Sequence, residues 1–225
     1  MKKSVLILIT LVGFLSSCSK FDDLSAALEE QVGIASVAVF NGLPGSGTME
    51  LYVDGSKLNV SKTEQFHNWP SGRRELKIVS RFGDRQDVYQ GIVDLQEGRF
   101  YSLFVHRDTE IRVTKQEDDP LRPKSGSAKV RIAHLSSQVP EFQVQSMKTD
   151  KGASAIKYKE ITSFTTIPLE LYHILGTVNS GANNQARDFE YKFIPKDQSI
   201  YTLIIRDNIN VSDPSDTYKI DLIVQ

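Results

Sequence analysis

One side chain in this sequence is a strong nucleophile by type. Cys18 is the single cysteine, and a thiol attacks as its thiolate. The residues before it give that thiol a task. Lys2 and Lys3 form a positive start, Val5 to Leu15 is apolar apart from Thr10 and Gly13, and Ser16 and Ser17 are the small residues a signal peptidase needs beside its cut. Charge, apolar run and small residues in that order describe a secretory signal. The run is shorter than the ~20 apolar residues a membrane span requires. With one cysteine no disulfide can form within the chain, although the destination is an oxidising compartment.

Leu15-Ser16-Ser17-Cys18 resembles the lipobox of bacterial lipoproteins. The resemblance implies that the Cys18 thiol receives a diacylglyceryl group, that the chain is cut before Cys18, and that the new amine is acylated. The implied partner is the outer-membrane lipid bilayer, entered through the acyl chains on Cys18. Acyl chains contribute ~0.8 kcal/mol per buried methylene, and more than one chain makes release slow. Ser19-Lys20-Phe21-Asp22-Asp23 resembles the export signal of surface lipoproteins in the Bacteroidota, in which Lys20, Asp22 and Asp23 direct the protein to the outer leaflet. The alternative is a solvated linker with no address. Leu24 to Gln31 suits two helical turns capped by Asp22 or Asp23 and ended by Gly33, but Leu24 and Leu28 are too few apolar positions for a stable helix alone.

Other groups offer less chemistry. His67, His106, His134 and His173 form no H-x-H or H-x-x-x-H pair, and no second cysteine exists for a thiolate site, so neither a metal nor a cofactor is expected. His134 is read as satisfying loop backbone groups at a strand end. A Ser–His–Asp hydrolase could assemble from distant residues, but no serine sits in a nucleophile-elbow pattern. Gly42-Leu43-Pro44-Gly45-Ser46-Gly47-Thr48 lacks the lysine and following helix of a phosphate loop and reads as a plain loop. Arg73, Arg74, Lys77, Arg81 and Arg85 crowd one segment, but Glu75 shares a strand face with Arg73 and Lys77, which points to a solvated face over a polyanion site. Asp213-Pro214-Ser215-Asp216 reads as a turn, since it lacks the dense acids of a calcium loop. Trp69 and Phe66 are expected in a core; Tyr52, Tyr158 and Tyr191 are the candidates for exposed aromatics.

Loss of Lys2 and Lys3 with the leader leaves 25 basic against 28 acidic side chains, a net charge of −3. No basic excess of the kind that nucleic-acid binders carry is present, so nucleic acid is not an expected partner.

The elements that must position these groups are strands. From Ile34 onward apolar residues recur with period two. Strands are expected at Ala35–Phe40, Met49–Val53, Glu64–Trp69, Arg73–Val79, Asp87–Asp94, Phe100–His106 and Glu110–Lys115, with turns at Asp54-Gly55, Pro70-Ser71-Gly72, Phe82-Gly83-Asp84 and Gln96-Glu97-Gly98. After the polar, proline-bearing stretch Glu117–Ser127 the pattern restarts. Ala128-Lys129-Val130-Arg131-Ile132-Ala133-His134 mirrors Ala35–Asn41, Phe142 and Val144 mirror Leu51 and Val53, and Phe164, Ile167, Pro168 and Ile174 mirror Phe66, Trp69, Pro70 and Leu76. Tyr201–Ile205 mirrors Tyr101–Val105. This is an internal duplication. In its last strands both faces are apolar, so Phe104 and Ile204 require cover by the other module or by a second sheet. The expected fold is all-β: two tandem antiparallel Ig-like or transthyretin-like β-sandwich modules. The expected parts are a signal peptide at 1–17, lipidated cysteine and tether at 18–33, modules at 34–116 and 128–225, and a linker at 117–127.

Val130-Arg131-Ile132-Ala133-His134 with Ser136, Leu51-Tyr52-Val53-Asp54-Gly55, and Phe66…Trp69-Pro70-Ser71-Gly72 leading into Leu76 and Ile78 resemble the motifs of DUF4397, a domain of unknown function. Module one has Asn41 and Leu43 where the histidine and serine are expected but keeps Pro44. Module two has Ser137 for the proline and lacks the Asp-Gly turn. The resemblance implies an extracellular or envelope β-sandwich, often lipid-anchored and in tandem, with no assigned catalytic residues. The resulting expectation is a non-catalytic, surface-exposed outer-membrane lipoprotein that binds a glycan or a partner protein through the loops Gln145–Lys159 and Gly176–Arg187. The alternatives are a structural envelope or appendage subunit and a cryptic hydrolase.

Overall fold

Strand β1 (Ile34–Asn41) is apolar on both faces. Val37 and Val39 alternate with Ala38 and Phe40, and all four are buried. A strand with two buried faces needs cover on both sides of its sheet, and that need sets the architecture. The computed structural model describes residues 33–44, 48–60, 62–80, 86–107, 109–139, 141–146, 154–180, 185–208 and 218–225.

The first half contributes β1, β2 (Met49–Val53), β3 (Ser56–Lys57), β4 (His67–Pro70), β5 (Gly72–Ser80), β6 (Gln86–Leu95), β7 (Phe100–Arg107) and β8 (Ile111–Asp118). The second contributes β9 (Ser127–Leu135), β10 (Glu141–Ser146), β11 (Ser154–Lys157), β12 (Thr165–Pro168), β13 (Tyr172–Ser180), β14 (Gln185–Phe193), β15 (Ile200–Asp207) and β16 (Tyr218–Val224). They form four four-stranded sheets, ordered β4-β1-β7-β8 and β3-β2-β5-β6 in the first half, β12-β9-β15-β16 and β11-β10-β13-β14 in the second. The orders correspond strand for strand. Neighbours run antiparallel except β1 with β7 and β9 with β15, which are parallel. The expected all-β sandwich architecture is present, with one parallel pair inserted into each mixed sheet.

The residues matched along the sequence also match in register. Trp69 pairs with Ala35, and Ile167 with Ala128. Tyr101 pairs with Val37, and Tyr201 with Val130. The hairpin at Asp54-Gly55 has positive φ at both residues, 49° and 78°, as a type I′ turn demands. The Asp54 carboxylate accepts from the Glu75 amide at 2.9 Å and from Arg74 at 3.2 Å. The strand expected from Glu64 starts at His67; before it, residues 63–65 form a turn. The short strand β3 is an element the periodicity did not reveal, since two residues carry no period.

Three apolar clusters hold the layers. One joins the two sheets of the first half through Trp69, Leu51, Leu76, Ile78 and Leu103. The second does the same in the second half through Phe142, Ile174, Phe193 and Leu203. The third joins the halves: Ala38, Phe40 and Phe104 meet Ala133, Leu135 and Ile204. Phe104 and Ile204 are 0% and 1% exposed, and the Phe40 and Phe104 rings stack at 5.0 Å. The cover required for these central strands is therefore supplied by the other sandwich. Full burial of side chains of this size stabilises by about 1.5–3 kcal/mol each.

The core is repacked between copies at one register position. Leu51 faces Ile78 in the first copy, and Phe142 faces Gly176 in the second. A Cβ at Gly176 would collide with the ring of Phe189 and lie 3.0 Å from Phe142 Cβ. The glycine makes room for two aromatic rings.

Candidate functional site

The parallel pairs decide what the loops can do together. Arg131, midway along β9, meets Asp118 at the end of β8, which pairs with Phe100 at the start of β7. At the other end Gly42, just after β1, lies against Leu135, the last residue of β9; a Cβ there would collide with the leucine and come within 2.8 Å of Val105 O. Strands β1, β7, β9 and β15 thus all run in one direction, and the residues that close them, Asn41, Arg107, Leu135 and Asp207, lie at one end. Side chains tie that end together. Asp207, closing β15, accepts from Ser136 Oγ at 2.5 Å, Ser137 Oγ at 2.7 Å and the Gln138 amide at 3.2 Å. Arg206 donates to Leu43 O at 3.2 Å, and Tyr158 Oη to Arg107 O at 3.0 Å. These last two contacts cross between the sandwiches.

His134 lies beneath this end, 0% exposed, its ring 4.9 Å from Phe142 and 6.1 Å from Tyr158. Neither ring nitrogen has a hydrogen-bond partner of ordinary geometry among the described residues. Burial pushes its pKa down to about 4, against the smaller opposing influences of the Val139 backbone, Asp207 and Glu160. The loop-backbone role expected for His134 has a counterpart in the Val139 backbone, in the loop after β9, while burial holds the ring neutral against Phe142. Ser136 donates directly to Asp207, whereas a hydrolytic triad places a histidine between serine and carboxylate.

A concavity of about 440 Å³ opens on the β11-β10-β13-β14 sheet. Glu141, Gln143, Thr177 and Asp188 supply polar groups around Phe142, Gly176 and Phe189, and among the described residues no basic side chain lines it. Thr177 Oγ1 donates to Asp188 at 2.9 Å. Carboxylates and a carboxamide over an apolar floor can accept hydroxyl hydrogen bonds, the common arrangement of small polar-ligand sites.

Residues 35–145 match DUF4397, a domain of unknown function. The chain contains a DUF4397 domain. No curated protein matches the chain. The DUF4397 span covers β1 through β10. It therefore contains the whole first sandwich, Arg131, His134 and Ser136, while the Asp207 that holds Ser136 lies beyond it.

Leu15, Ser16, Ser17, Cys18, Lys20, Asp22 and Asp23 lie outside the described residues, as do Arg81, Arg85 and Asp213–Asp216. The histidines stay apart: His67 contacts Lys62 O at 2.7 Å, His106 contacts Thr114 Oγ1 at 2.9 Å, and His173 pairs with Glu190. Among the described residues no three His, Cys, Asp or Glu side chains converge as a metal site requires. Two cations of the basic strand are paired, Arg74 with Asp54 at 3.2 Å and Lys77 with Asp87 at 2.6 Å. Trp69 is a core residue at 1% exposure. Phe66 is half-buried against Phe100. Tyr52, Tyr158 and Tyr191 are half-buried rather than exposed; Tyr52 donates to Glu50, and Tyr191 packs on the second core. The two stretches expected as contact loops are partly strand, since β11 lies within Gln145–Lys159 and β13 and β14 run into Gly176–Arg187 to Ser180 and from Gln185; Ser146 pairs with Tyr172 and Ser180 with Gln185, at opposite ends of the sheet.

The residue that sequence reasoning missed is Arg131. Its guanidinium is wholly buried between the sandwiches, donating to Asp118 Oδ1 at 2.5 Å, Ser102 Oγ at 2.5 Å and Thr202 Oγ1 at 2.9 Å. The rings of Phe164, Phe104 and Phe40 surround it, with centroids at 4.3, 4.9 and 5.1 Å. Burial pulls its pKa down to about 10 against the pull of Asp118, and burial raises that of Asp118. A signal was available: Arg131 occupies the position of Ala38, on the strand face shared with Ala133, and a charge on a face that must be covered requires a partner there.

Proposed function

We propose that this protein is a lipid-anchored component of the bacterial cell envelope, without catalytic activity, that presents a binding surface to a glycan or a partner protein. The anchor is Cys18, with cleavage after Leu15-Ser16-Ser17. Lys20, Asp22 and Asp23 carry the address to the outer leaflet of the outer membrane.

The observation that supports this best is the shared direction of the four central strands. Residue Ile34, to which the tether leads, opens β1, and the residues that close β1, β7, β9 and β15 (Asn41, Arg107, Leu135 and Asp207) lie at the other end. A chain held through Cys18 would carry that end, from both sandwiches, away from the lipid. Loops placed on a rigid scaffold are the usual carriers of recognition. The concavity around Gly176 has the acceptor-rich, cation-free lining that suits neutral sugars better than acidic ones.

Cell fractionation tests the anchor, with Cys18→Ala expected to leave the membrane fraction. Protease shaving of intact cells tests display. A glycan array and a pull-down with the soluble protein beginning at Ser19 test binding; silence in both assays counts against the binding role.

A further inference from the structure

Among the described residues five large apolar side chains stand exposed: Ile34, Ile92, Leu121, Ile194 and Val224. Single exposed apolar residues are ordinary on a protein surface, but four of these share one end. Ile34 opens β1, and its carbonyl accepts from the Gly98 amide at 2.8 Å, in the turn before β7. Val224 pairs with Tyr201, at the start of β15. Leu121 sits between β8 and β9, where Asp119 meets Lys129 at 2.9 Å. Ile194 follows β14 and leads into the turn whose Gln198 amide donates to Ser127 O at 2.9 Å. This is the end at which β1, β7, β9 and β15 all begin. Exposed cations, Arg122, Lys124 and Lys196, stand beside Leu121 and Ile194 in the chain, with the exposed acids Asp119 and Asp197 among them.

We infer that this end is a membrane-seating surface: Ile34, Leu121, Ile194 and Val224 enter the interfacial layer of the bilayer while neighbouring cations reach the headgroup phosphates. The inference rests on the reading of Cys18 as lipidated. Fifteen residues lie between Cys18 and Ile34, a reach of at most about 55 Å, so a lipid-held Cys18 keeps this end within that distance of the bilayer. Lipid is therefore the surface to which the tether confines this end. Long cationic side chains beside apolar ones suit the interface, since their stems lie in the apolar layer and their charges in the headgroups.

The test uses the full-length lipidated protein in vesicles of phosphatidylethanolamine and phosphatidylglycerol. Leu121→Cys, Ile194→Cys and, at the opposite end, Gln138→Cys each receive an environment-sensitive fluorophore; Cys18 does not label, because its sulfur is held as a thioether. Probes at 121 and 194 are expected to shift to the blue and to be quenched by spin-labelled lipid, and the probe at 138 to do neither. Leu121→Asp with Ile194→Asp is expected to keep flotation and to remove the blue emission of a probe at Val224→Cys. Flotation with aqueous emission at 121 and 194 overturns the seating surface while leaving the anchor intact. Protein that fails to float overturns both. A blue emission that grows with protein density at constant lipid assigns the surface to a second copy of the chain and overturns the inference.

Discussion

Arg131 of the second sandwich meets Asp118 of the first at 2.5 Å, and their side chains are 0% and 1% exposed. The ion pair stands at the edge of the apolar cluster that joins the halves. Removing one partner of a buried pair costs about 3–5 kcal/mol, because the other charge stays desolvated, whereas replacing both with apolar groups is often neutral. Arg131→Ala is expected to destabilise by that amount in urea unfolding, and Arg131→Met with Asp118→Leu to recover most of it. Trp69, the single tryptophan, sits in the first core. In the native protein its emission and the far-ultraviolet dichroism are expected to change together. Unequal midpoints in the native protein would show that the halves unfold separately.

His134 makes stability depend on pH. Its folded pKa, about 4, lies below the ordinary 6.5. On acidification the unfolded chain therefore takes up a proton that the folded chain refuses, and stability falls between pH 6.5 and about 4. The loss is on the order of 3 kcal/mol across that window, since each tenfold difference in proton affinity is worth about 1.4 kcal/mol. His134→Phe, which keeps the contact with Phe142, is expected to flatten this part of the curve. An unchanged slope would show that the acid sensitivity arises elsewhere.

Gly176 is a packing requirement. Gly176→Val should drive Phe189 and Phe142 off their positions and destabilise by about 1–3 kcal/mol, as overpacking does. Adding Phe189→Leu is expected to recover part of the loss in thermal unfolding. A stable single variant would mean that the rings relocate freely.

Asp207 closes the loop after β9 with three acceptor contacts. Asp207→Ala leaves the buried Ser136 hydroxyl without its acceptor, which costs about 1–3 kcal/mol. Hydrogen exchange at the Gln138 amide is expected to quicken more than exchange within β9. Equal acceleration throughout would indicate global loosening instead.

Period-two alternation located seven of the eight strands of the first half, and the repeat located β9, β10, β12, β13 and β15 in the second but not β11, β14 or β16. Alternation is legible because a strand's pleat places every second side chain on one face, and the internal repeat supplied a second instance of the matched positions. The two-sided burial of Phe104 and Ile204 could be read for the same reason. The type I′ turn at Asp54-Gly55 was legible because few residue pairs tolerate positive φ twice.

Pairing partners lie outside that local code. That β1 lies parallel to β7, that the four central strands share a direction, and that the loops after Ser146 and Ser180 open at opposite ends all follow from contacts distant along the chain. The role of His134 likewise needed its neighbours, since a histidine becomes neutral through what surrounds it. The sequence by itself determined the strand periodicity and the repeated strand pattern. Only the tertiary structure decided that the two copies meet face to face and that Arg131, where the first copy has Ala38, is buried against Asp118. A local pattern states which side chains must leave water; which surface receives them depends on shape and charge brought together from both halves of the chain.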